Sequence, residues 1–169
     1  MKLSPKNENK LQEIPFHGIG PKLVLSMVPF IVGLAIVNII FYPTFQIPIP
    51  PLFLILLGVA LILIGIYIYI KSIIAVKKAY DESILVTSGF FAYMRHPVYS
   101  SFILFMTPGF VCLSNSWFLF SIPILFYILF RIYIKPEEVY CLNKFGEDYA
   151  HYKRSVNAII PKLKKYKSN

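Results

Sequence analysis

The chain has 169 residues, of which 57% are apolar and 15% charged, and its net charge is +9. This apolar content argues against an ordinary soluble domain. The charges are also segregated. Leu23 to Ile70 forms a run of 48 residues without Lys, Arg, Asp or Glu, and His96 to Phe130 forms a second run of 35. Because a membrane-spanning helix needs about 20 apolar residues, the two runs predict about four spans in one all-α, integral membrane helical bundle.

In chain order, we predict spans at about Leu23–Tyr42, Leu52–Ile74, Val98–Leu113 and Trp117–Ile134. Pro43 and the segment Pro48-Ile49-Pro50-Pro51 separate the first two spans, because proline cannot donate to a helix and disfavours helix in the residue before it. Ser114-Asn115-Ser116 forms a polar turn between the last two. The predicted domain, 1–169, therefore consists of an N-terminal segment (1–22), a four-span bundle (23–134) with a polar loop (75–97), and amphipathic C-terminal helices (135–169).

The positive charges follow these boundaries. Four basic residues precede the first span, four lie between the second and third, and nine follow the fourth, whereas the connectors 43–51 and 114–116 carry none. Four spans place all three basic segments on one side, which the positive-inside bias makes cytoplasmic. Both termini are therefore predicted to be cytoplasmic. Together with attraction to anionic membrane lipids, this pattern accounts for the net charge and argues against a nucleic-acid partner.

The first polar cluster stands where the chain re-enters the membrane. Thr87-Ser88-Gly89 is a turn signal, and it leads to Arg95-His96-Pro97-Val98-Tyr99. Pro97 suits the first turn of the third span, where its missing N–H costs nothing. Arg95 and His96 then lie at a helix start whose unpaired amides favour a negative group. Taken singly, these residues fit a membrane anchor, a helix cap and an aromatic belt. As one string, they favour a binding site.

The second polar cluster follows the fourth span. Arg131, at the end of that span, precedes the pair Glu137-Glu138. These carboxylates suit a helix N-terminus, but charged groups at the membrane boundary near other charges are often functional. Apolar residues then recur at steps of three or four with an interruption near Gly146, which predicts a helix packed on the bundle or lying on the membrane. This stripe consists of Leu142, Phe145, Tyr149, Tyr152 and Val156.

Other kinds of site find no support in the sequence. His17, His96 and His151 have no metal-ligand spacing, and a serine-nucleophile motif or a phosphate-binding glycine loop is missing. Cys112 and Cys141 fall at opposite membrane faces, so we expect no disulfide between them. His96 remains a candidate proton acceptor. Nothing in the sequence indicates an oligomeric state.

The two polar segments together resemble the membrane-embedded methyltransferases of the isoprenylcysteine carboxyl methyltransferase and phospholipid methyltransferase superfamily. The family pattern is a glycine turn, an aromatic residue, RHPxY, an apolar helical hairpin and a tail of the form EExxxLxxFGxxYxxYxxxVxxxxP. The residues that match it here are Gly89, Tyr93, Arg95, His96, Pro97, Tyr99, Glu137, Glu138, Leu142, Phe145, Gly146, Tyr149, Tyr152, Val156 and Pro161.

The resemblance implies S-adenosyl-L-methionine as methyl donor, bound at the cytosolic end of the bundle beneath the C-terminal helices. Its cofactor-binding candidates are Arg95, His96, Tyr99, Glu137 and Glu138. Arg131 aligns with an arginine that serves the substrate carboxylate in prenylcysteine-specific members, so Arg131 and His96 are the catalytic candidates. The implied acceptor is a hydrophobic small molecule or lipid that enters from the bilayer, with an isoprenylcysteine-type carboxylate as one candidate.

Two departures and two alternatives accompany this interpretation. Pro136 stands where an extra acidic residue precedes the pair in prenylcysteine-specific members, and Ser100-Ser101 stands where many members continue Tyr-x-Gly. A membrane NADPH-dependent sterol-type reductase shares the HPxY step and a tail like Lys144-Phe145-Gly146, and a non-enzymatic four-helix membrane protein needs no site at all. The paired glutamates and the small size favour the methyltransferase.

Overall fold

The computed structural model of the chain describes residues 18–167, and within this range the regular elements are helices, as the all-α prediction requires. Residues 1–17 of the predicted N-terminal segment and residues 168–169 of the predicted C-terminal segment lie outside the described residues. Short 3-10 turns at Gly89–Ala92 and Trp117–Phe120 precede the third and fourth helices. The five helices are α1 (Gly20–Ile40), α2 (Pro51–Glu82), α3 (Pro97–Leu113), α4 (Ser121–Tyr133) and α5 (Lys135–Ser155).

The helices confirm an integral membrane bundle. Helix α1 and residues Pro51–Ala79 of α2 are long and apolar enough to cross a membrane, with mean hydropathies of 2.6 and 2.9. Helix α3 is apolar but shorter, and the segment Trp117–Tyr133 passes the same test only together with α5, from which it is bent by 44°. The described residues thus hold two spans, or three if the bent pair is one. Separate crossings by α3 and α4 stay a prediction.

Helix α2 is longer than the sequence predicted. It continues past Ile74 to Glu82, so the first part of the predicted loop 75–97 is helical. This extension buries Ala79 against the bundle and places Lys78 and Glu82 one turn apart, with Nζ 3.9 Å from Oε1. Such i,i+4 pairs favour helix at an exposed end. The helix ends at Ser83, which has a positive φ of 54°.

Helix α3 contains a wide turn that the apolar pattern did not reveal. Residues Ser101–Met106 form a π-helical segment between two α-helical ones. Pro108 follows it, and a proline cannot donate to the carbonyl four residues earlier. The Thr107 amide and hydroxyl both donate to the Phe102 carbonyl, the hydroxyl at 2.9 Å. π-Helical turns are rare in proteins, and those that occur are often found at functional sites. This one follows directly on the predicted Arg95–Tyr99 cluster.

The tightest helix pair is α2 with α3, which meet through glycines. A Cβ atom on Gly109 would lie 2.8 Å from the Gly58 carbonyl oxygen, and a Cβ on Gly58 would lie 2.8 Å from that of Gly109. Small residues allow this close backbone approach, which is typical of membrane helices. Helix α1 packs instead on α4, and α1 and α2 are not among the closely packed pairs. The first two helices are therefore not closely packed against each other.

Both ends of the bundle agree with the predicted arrangement of the loops. At one end the two uncharged connectors meet, since the Trp117 amide donates to the Phe45 carbonyl at 3.0 Å and the Ser116 hydroxyl bonds the Asn38 side chain at 2.6 Å. At the other end, the segment after α5 pairs with the Arg95–His96 loop. The described segments before α3 and after α5 thus meet at one end of the molecule.

We expect Gly109→Ala to lower the free energy of unfolding, because its methyl group would push α2 and α3 apart at backbone atoms. Overpacking of this kind costs about 1–3 kcal/mol. Gly33→Ala in α1 is the matched control, since a Cβ there meets nothing within 4 Å. The thermal midpoints of the two variants in detergent test this packing. Equal midpoints would contradict it.

Candidate functional site

The site is assembled by the segment that follows α5. The amide of Arg95 donates to the Asn157 carbonyl at 2.8 Å, and that of His96 donates to the Ala158 carbonyl at 3.0 Å. The Ser100 hydroxyl donates to the Ile159 carbonyl at 2.9 Å. These bonds join parts of the chain about sixty residues apart. They also give Ser100 a defined structural role in the buried start of α3.

The Arg95 side chain links both ends of α5. Its Nη1 donates to the carbonyls of Lys153 and Val156 at the C-terminal end of the helix, where a cation is favoured. Its Nη2 lies 2.7 Å from Glu138 Oε1 near the start of the same helix. One guanidinium can reach both because α5 is kinked at Gly146, where φ is +56°. A residue with a Cβ rarely adopts that conformation.

Glu138 is the centre of the charged network. Besides Arg95, it receives Lys153 Nζ at 2.8 Å on Oε2 and has His96 Nε2 3.5 Å from Oε1. Burial alone would raise the pKa of this carboxyl, but hydrogen bonds from His96, Lys153 and Arg95 outweigh burial and lower it. Glu138 is therefore an anion that holds three cationic side chains in place.

Glu137 has a different set of partners from its neighbour. Its Oε2 accepts a hydrogen bond from the Tyr99 hydroxyl at 3.0 Å and one from the Ile19 amide at 3.4 Å, while Oε1 lies 3.6 Å from His96 Nδ1. Burial opposes ionisation, yet the bond and charge of His96, with the bonds of Tyr99 and Ile19, lower the pKa of Glu137. The carboxylate is thus ionised and faces the cavity described below.

His96 lies between the two carboxylates, with one ring nitrogen toward each. Its side chain is 7% exposed, and its ring packs edge-on against Phe130 with centroids 5.6 Å apart. Burial alone would lower the pKa of His96, but hydrogen bonding to Glu137 and Glu138 and their negative charges raise it above 6.5. An imidazolium held in this way is a poor proton acceptor. The geometry therefore favours a binding role over a general-base role.

The start of α1 completes the site, which the sequence interpretation missed. The Ile19 amide lies 3.2 Å from the Tyr99 hydroxyl as well as bonding Glu137. A Cβ on Gly18 would lie 2.7 Å from Glu137 Oε2 and 2.8 Å from the Tyr99 hydroxyl, and its φ is +55°. Only glycine suits this position. The short run Gly18-Ile19-Gly20 before the first apolar stretch is the signal that could have pointed to it.

A cavity of about 680 Å³ opens beside these groups. Its polar end is lined by Arg95, His96, Tyr99, Glu137 and Lys144. Its apolar end lies where α1 and α2 are not closely packed. The main apolar lining residues are Leu23, Val24 and Val28 of α1, Tyr69, Ile73 and Val76 of α2, and Phe102 and Phe126 of α3 and α4. The cavity thus joins a charged compartment to an apolar one.

The structure brings most of the predicted site residues together. The cavity is lined by Arg95, His96, Tyr99 and Glu137. Glu138 does not line it but forms ion pairs with Arg95 and His96. Arg131 is not part of this group: it is exposed, does not line the cavity, and donates to the Tyr127 hydroxyl at 3.2 Å. Within residues 18–167, no three His, Cys, Asp or Glu side chains are grouped to hold a metal ion.

The predicted stripe on α5 is only partly a packing surface. Tyr149, Tyr152 and Val156 are buried, as predicted, but Leu142 is 42% exposed. Tyr149 and Tyr152 also line the cavity, together with Cys141, for which the sequence suggested no role in the site. Cys141 and Cys112 are both free thiols. Burial and the charges of Glu137 and Glu138 raise the pKa of the Cys141 thiol to about 12. The thiol therefore stays protonated and adds an uncharged group to the cavity lining.

Comparisons with known proteins agree on one family. The model of the isoprenylcysteine carboxyl methyltransferase (ICMT) family matches residues 52–143, just over half of the chain. The match contains Arg95, His96, Tyr99, Glu137 and Glu138, but not the start of α1 or the end of α5. No solved structure matches the chain.

Curated relatives share one name, protein-S-isoprenylcysteine O-methyltransferase. The Schizosaccharomyces pombe protein is 34% identical over 90 residues, which is 52% of this chain and 37% of that protein. The Dictyostelium discoideum protein is 35% identical over 81 residues, 48% of this chain and 34% of that protein. The human protein is 33% identical over 84 residues, 50% of this chain and 30% of that protein. The chain thus matches about a third of the length of these relatives.

We expect protonated His96 to stabilise the fold, and this gives a pH dependence with a definite sign. Because the pKa of folded His96 lies above 6.5, its contribution is complete below pH 6.5 and is lost as the pH rises through the folded value. The thermal midpoint should therefore fall as the pH rises above 6.5. His96→Gln should flatten this fall, whereas His151→Gln, on an exposed side chain, should keep it. Parallel curves for all three proteins would exclude the ion-pair assignment.

Proposed function

This chain belongs to the isoprenylcysteine carboxyl methyltransferase family, and we propose that it is a membrane methyltransferase that uses S-adenosylmethionine and acts on a hydrophobic acceptor. The observation that carries the proposal is the cavity. It places Arg95, His96 and Glu137 at one end and the apolar walls of α1 and α2 at the other. A charged donor and a lipid-soluble acceptor can meet only in a space with both kinds of wall.

The residues of the polar end fit the chemical groups of the donor. S-Adenosylmethionine carries an ammonium, a carboxylate, a sulfonium and an adenosine. Glu137 is an ionised acceptor suited to the ammonium or to ribose hydroxyls, and Arg95 is suited to the carboxylate. The rings of Tyr99, Phe91 and Tyr149 also line the cavity, and aromatic faces attract cations. The cavity volume of about 680 Å³ falls within the usual range for small-molecule sites.

The chain's own contribution to the reaction is alignment and exclusion of water. When bound, S-adenosylmethionine supplies a methyl group on a cationic sulfur for in-line displacement. Because Glu138 fixes Arg95 and His96, and Tyr99 and Ile19 fix Glu137, the polar groups are held in one arrangement before binding. Such positioning supplies much of the acceleration in a bimolecular transfer. The apolar walls exclude water, which favours dispersal of the donor's charge.

The charge state of the site favours an acceptor that arrives as an anion. Glu137 and Glu138 have lowered pKa values and His96 a raised one, so these three groups are poorly suited to accept a proton. An acceptor carboxylate needs no base. The relatives are named for S-isoprenylcysteine, which combines a free carboxylate with a long apolar chain. We therefore propose an isoprenylcysteine-type carboxylate as the acceptor class and O-methylation as the reaction.

The proposal includes an orientation in the membrane. The basic segments gather at the end that carries the polar part of the cavity, and the positive-inside bias assigns that end to the cytoplasm. Both termini then face the cytoplasm, and the donor enters from there. The acceptor enters from the bilayer between α1 and α2, which both line the cavity and are not closely packed against each other. Lys144, in the middle of α5, lines the cavity, whereas Arg131 does not.

Binding of S-adenosylhomocysteine to the detergent-purified protein tests the donor site. We expect Glu137→Gln to weaken this binding roughly ten-fold or more, because a charge-assisted hydrogen bond is lost. Glu147→Gln on the same helix is the control, since that side chain is 93% exposed. Isothermal titration with NADPH in parallel separates the two enzyme classes. Binding of NADPH without S-adenosylhomocysteine would overturn the methyltransferase in favour of the reductase.

Transfer of a labelled methyl group to an S-farnesylcysteine with a free carboxylate tests the apolar compartment. We expect Val28→Trp to reduce transfer strongly without changing S-adenosylhomocysteine binding, because the indole would fill the acceptor end of the cavity. Val32→Trp is the matched control: it lies on the same helix, 52% exposed, and does not line the cavity. If both variants retain full transfer, the acceptor does not occupy this space.

A further inference from the structure

Two buried polar atoms at the cavity have no hydrogen-bond partner within residues 18–167. They are Nε of Arg95 and the hydroxyl oxygen of Tyr149. Folded proteins pair nearly all such atoms, and an unpaired one often marks a place where a ligand or water binds. Both residues line the same cavity. An acceptor bound in this cavity would supply the missing partner.

The neighbouring Tyr152 shows that Tyr149 is unusual. Both tyrosines lie on α5 beyond Gly146, both are buried, and their ring centroids are 6.2 Å apart. The Tyr152 hydroxyl donates to the Phe91 carbonyl at 2.6 Å, so its polar end has a structural partner. The Tyr149 hydroxyl has none among the described residues. Packing alone explains the ring of Tyr149 but not its oxygen.

The Arg95 side chain also has a buried donor without a partner in the described part of the chain. Its Nη1 and Nη2 donate to backbone carbonyls and to Glu138, whereas the buried Nε–H has no partner within residues 18–167. Burial raises the pKa of Tyr149, so its hydroxyl keeps its proton at neutral pH and can donate. A guanidinium N–H together with a phenol O–H suits an anionic oxygen pair, since charge-assisted bonds are the strongest of their kind.

We propose that Tyr149 and Nε of Arg95 together bind the carboxylate of the donor's amino-acid head, which makes Tyr149 a donor-binding residue. This inference rests on the proposed function. Glu137 lines the same end of the cavity and supplies the opposite charge. A zwitterionic head therefore fits with its ammonium toward Glu137 and its carboxylate toward Arg95 and Tyr149. Both donor atoms are covered in the structure, so binding requires a side-chain adjustment of the kind common at binding sites.

The test compares two ligands that differ in the amino-acid head. S-Adenosylhomocysteine carries the carboxylate and the ammonium, whereas 5′-methylthioadenosine carries neither. We expect Tyr149→Phe to weaken S-adenosylhomocysteine binding about ten-fold or more and to leave 5′-methylthioadenosine binding unchanged. Unchanged S-adenosylhomocysteine binding would overturn the inference. Equal weakening of both ligands would overturn it too, because the contact would then be to the adenosine.

Stability without ligand provides a second readout. Tyr149→Phe removes an unpaired buried hydroxyl, so its thermal midpoint should equal or exceed that of the parent protein. Tyr152→Phe removes a paired hydroxyl, so its midpoint should fall while the ratio of the two ligand affinities stays the same. A lower midpoint for Tyr149→Phe would contradict the unpaired state of its oxygen.

Two further outcomes separate this inference from its premise. If the parent protein binds neither adenosine ligand, the proposed function fails. If Tyr149→Phe instead weakens binding of S-farnesylcysteine and leaves S-adenosylhomocysteine unaffected, the carboxylate at this position belongs to the acceptor, and the assignment to the donor is wrong.

Discussion

The buried ion pair between Arg95 and Glu138 is the interaction on which the site depends. The two side chains are 10% and 14% exposed and their atoms are 2.7 Å apart. Removing one partner from such a pair leaves an uncompensated buried charge, at a cost of about 3–5 kcal/mol. This pair joins the loop before α3 to the start of α5, and the same guanidinium holds the end of α5. The C-terminal helix therefore covers the bundle in one position.

Two adjacent glutamates perform separate tasks because a helix turns each residue by about 100°. Glu138 faces the cations of the network, whereas Glu137 faces the cavity and the start of α1. His96 bonds both, so its charge is shared between the structural and the cavity side. The two carboxylates are adjacent in sequence but have different roles: Glu138 holds the cationic side chains, and Glu137 faces the cavity.

Charge segregation and proline positions predicted the apolar helices and the meeting of Arg95–Tyr99 with Glu137–Glu138, and the spacing of the apolar stripe predicted the break at Gly146. Three features could not be predicted in this way. The π-turn of α3 depends on backbone register around Pro108, which leaves the apolar pattern unchanged. Arg131 lies at the expected depth but on another face of α4. Tyr149 has the spacing of a packing residue, and only the partner missing from its oxygen distinguishes it from Tyr152.

The contact of the Ile19 amide with Glu137 has a thermodynamic consequence. Helix α1 forms part of the apolar wall, and the amide of Ile19, directly before the helix, bonds the carboxylate of Glu137. A ligand cation that binds Glu137 competes with the Ile19 amide and so weakens the attachment of α1. An apolar ligand chain that packs against α1 shifts Ile19 relative to Glu137. If the proposed donor and acceptor occupy the two compartments, this hydrogen bond couples their binding, and each ligand then alters the affinity of the other by the same factor because linkage is reciprocal.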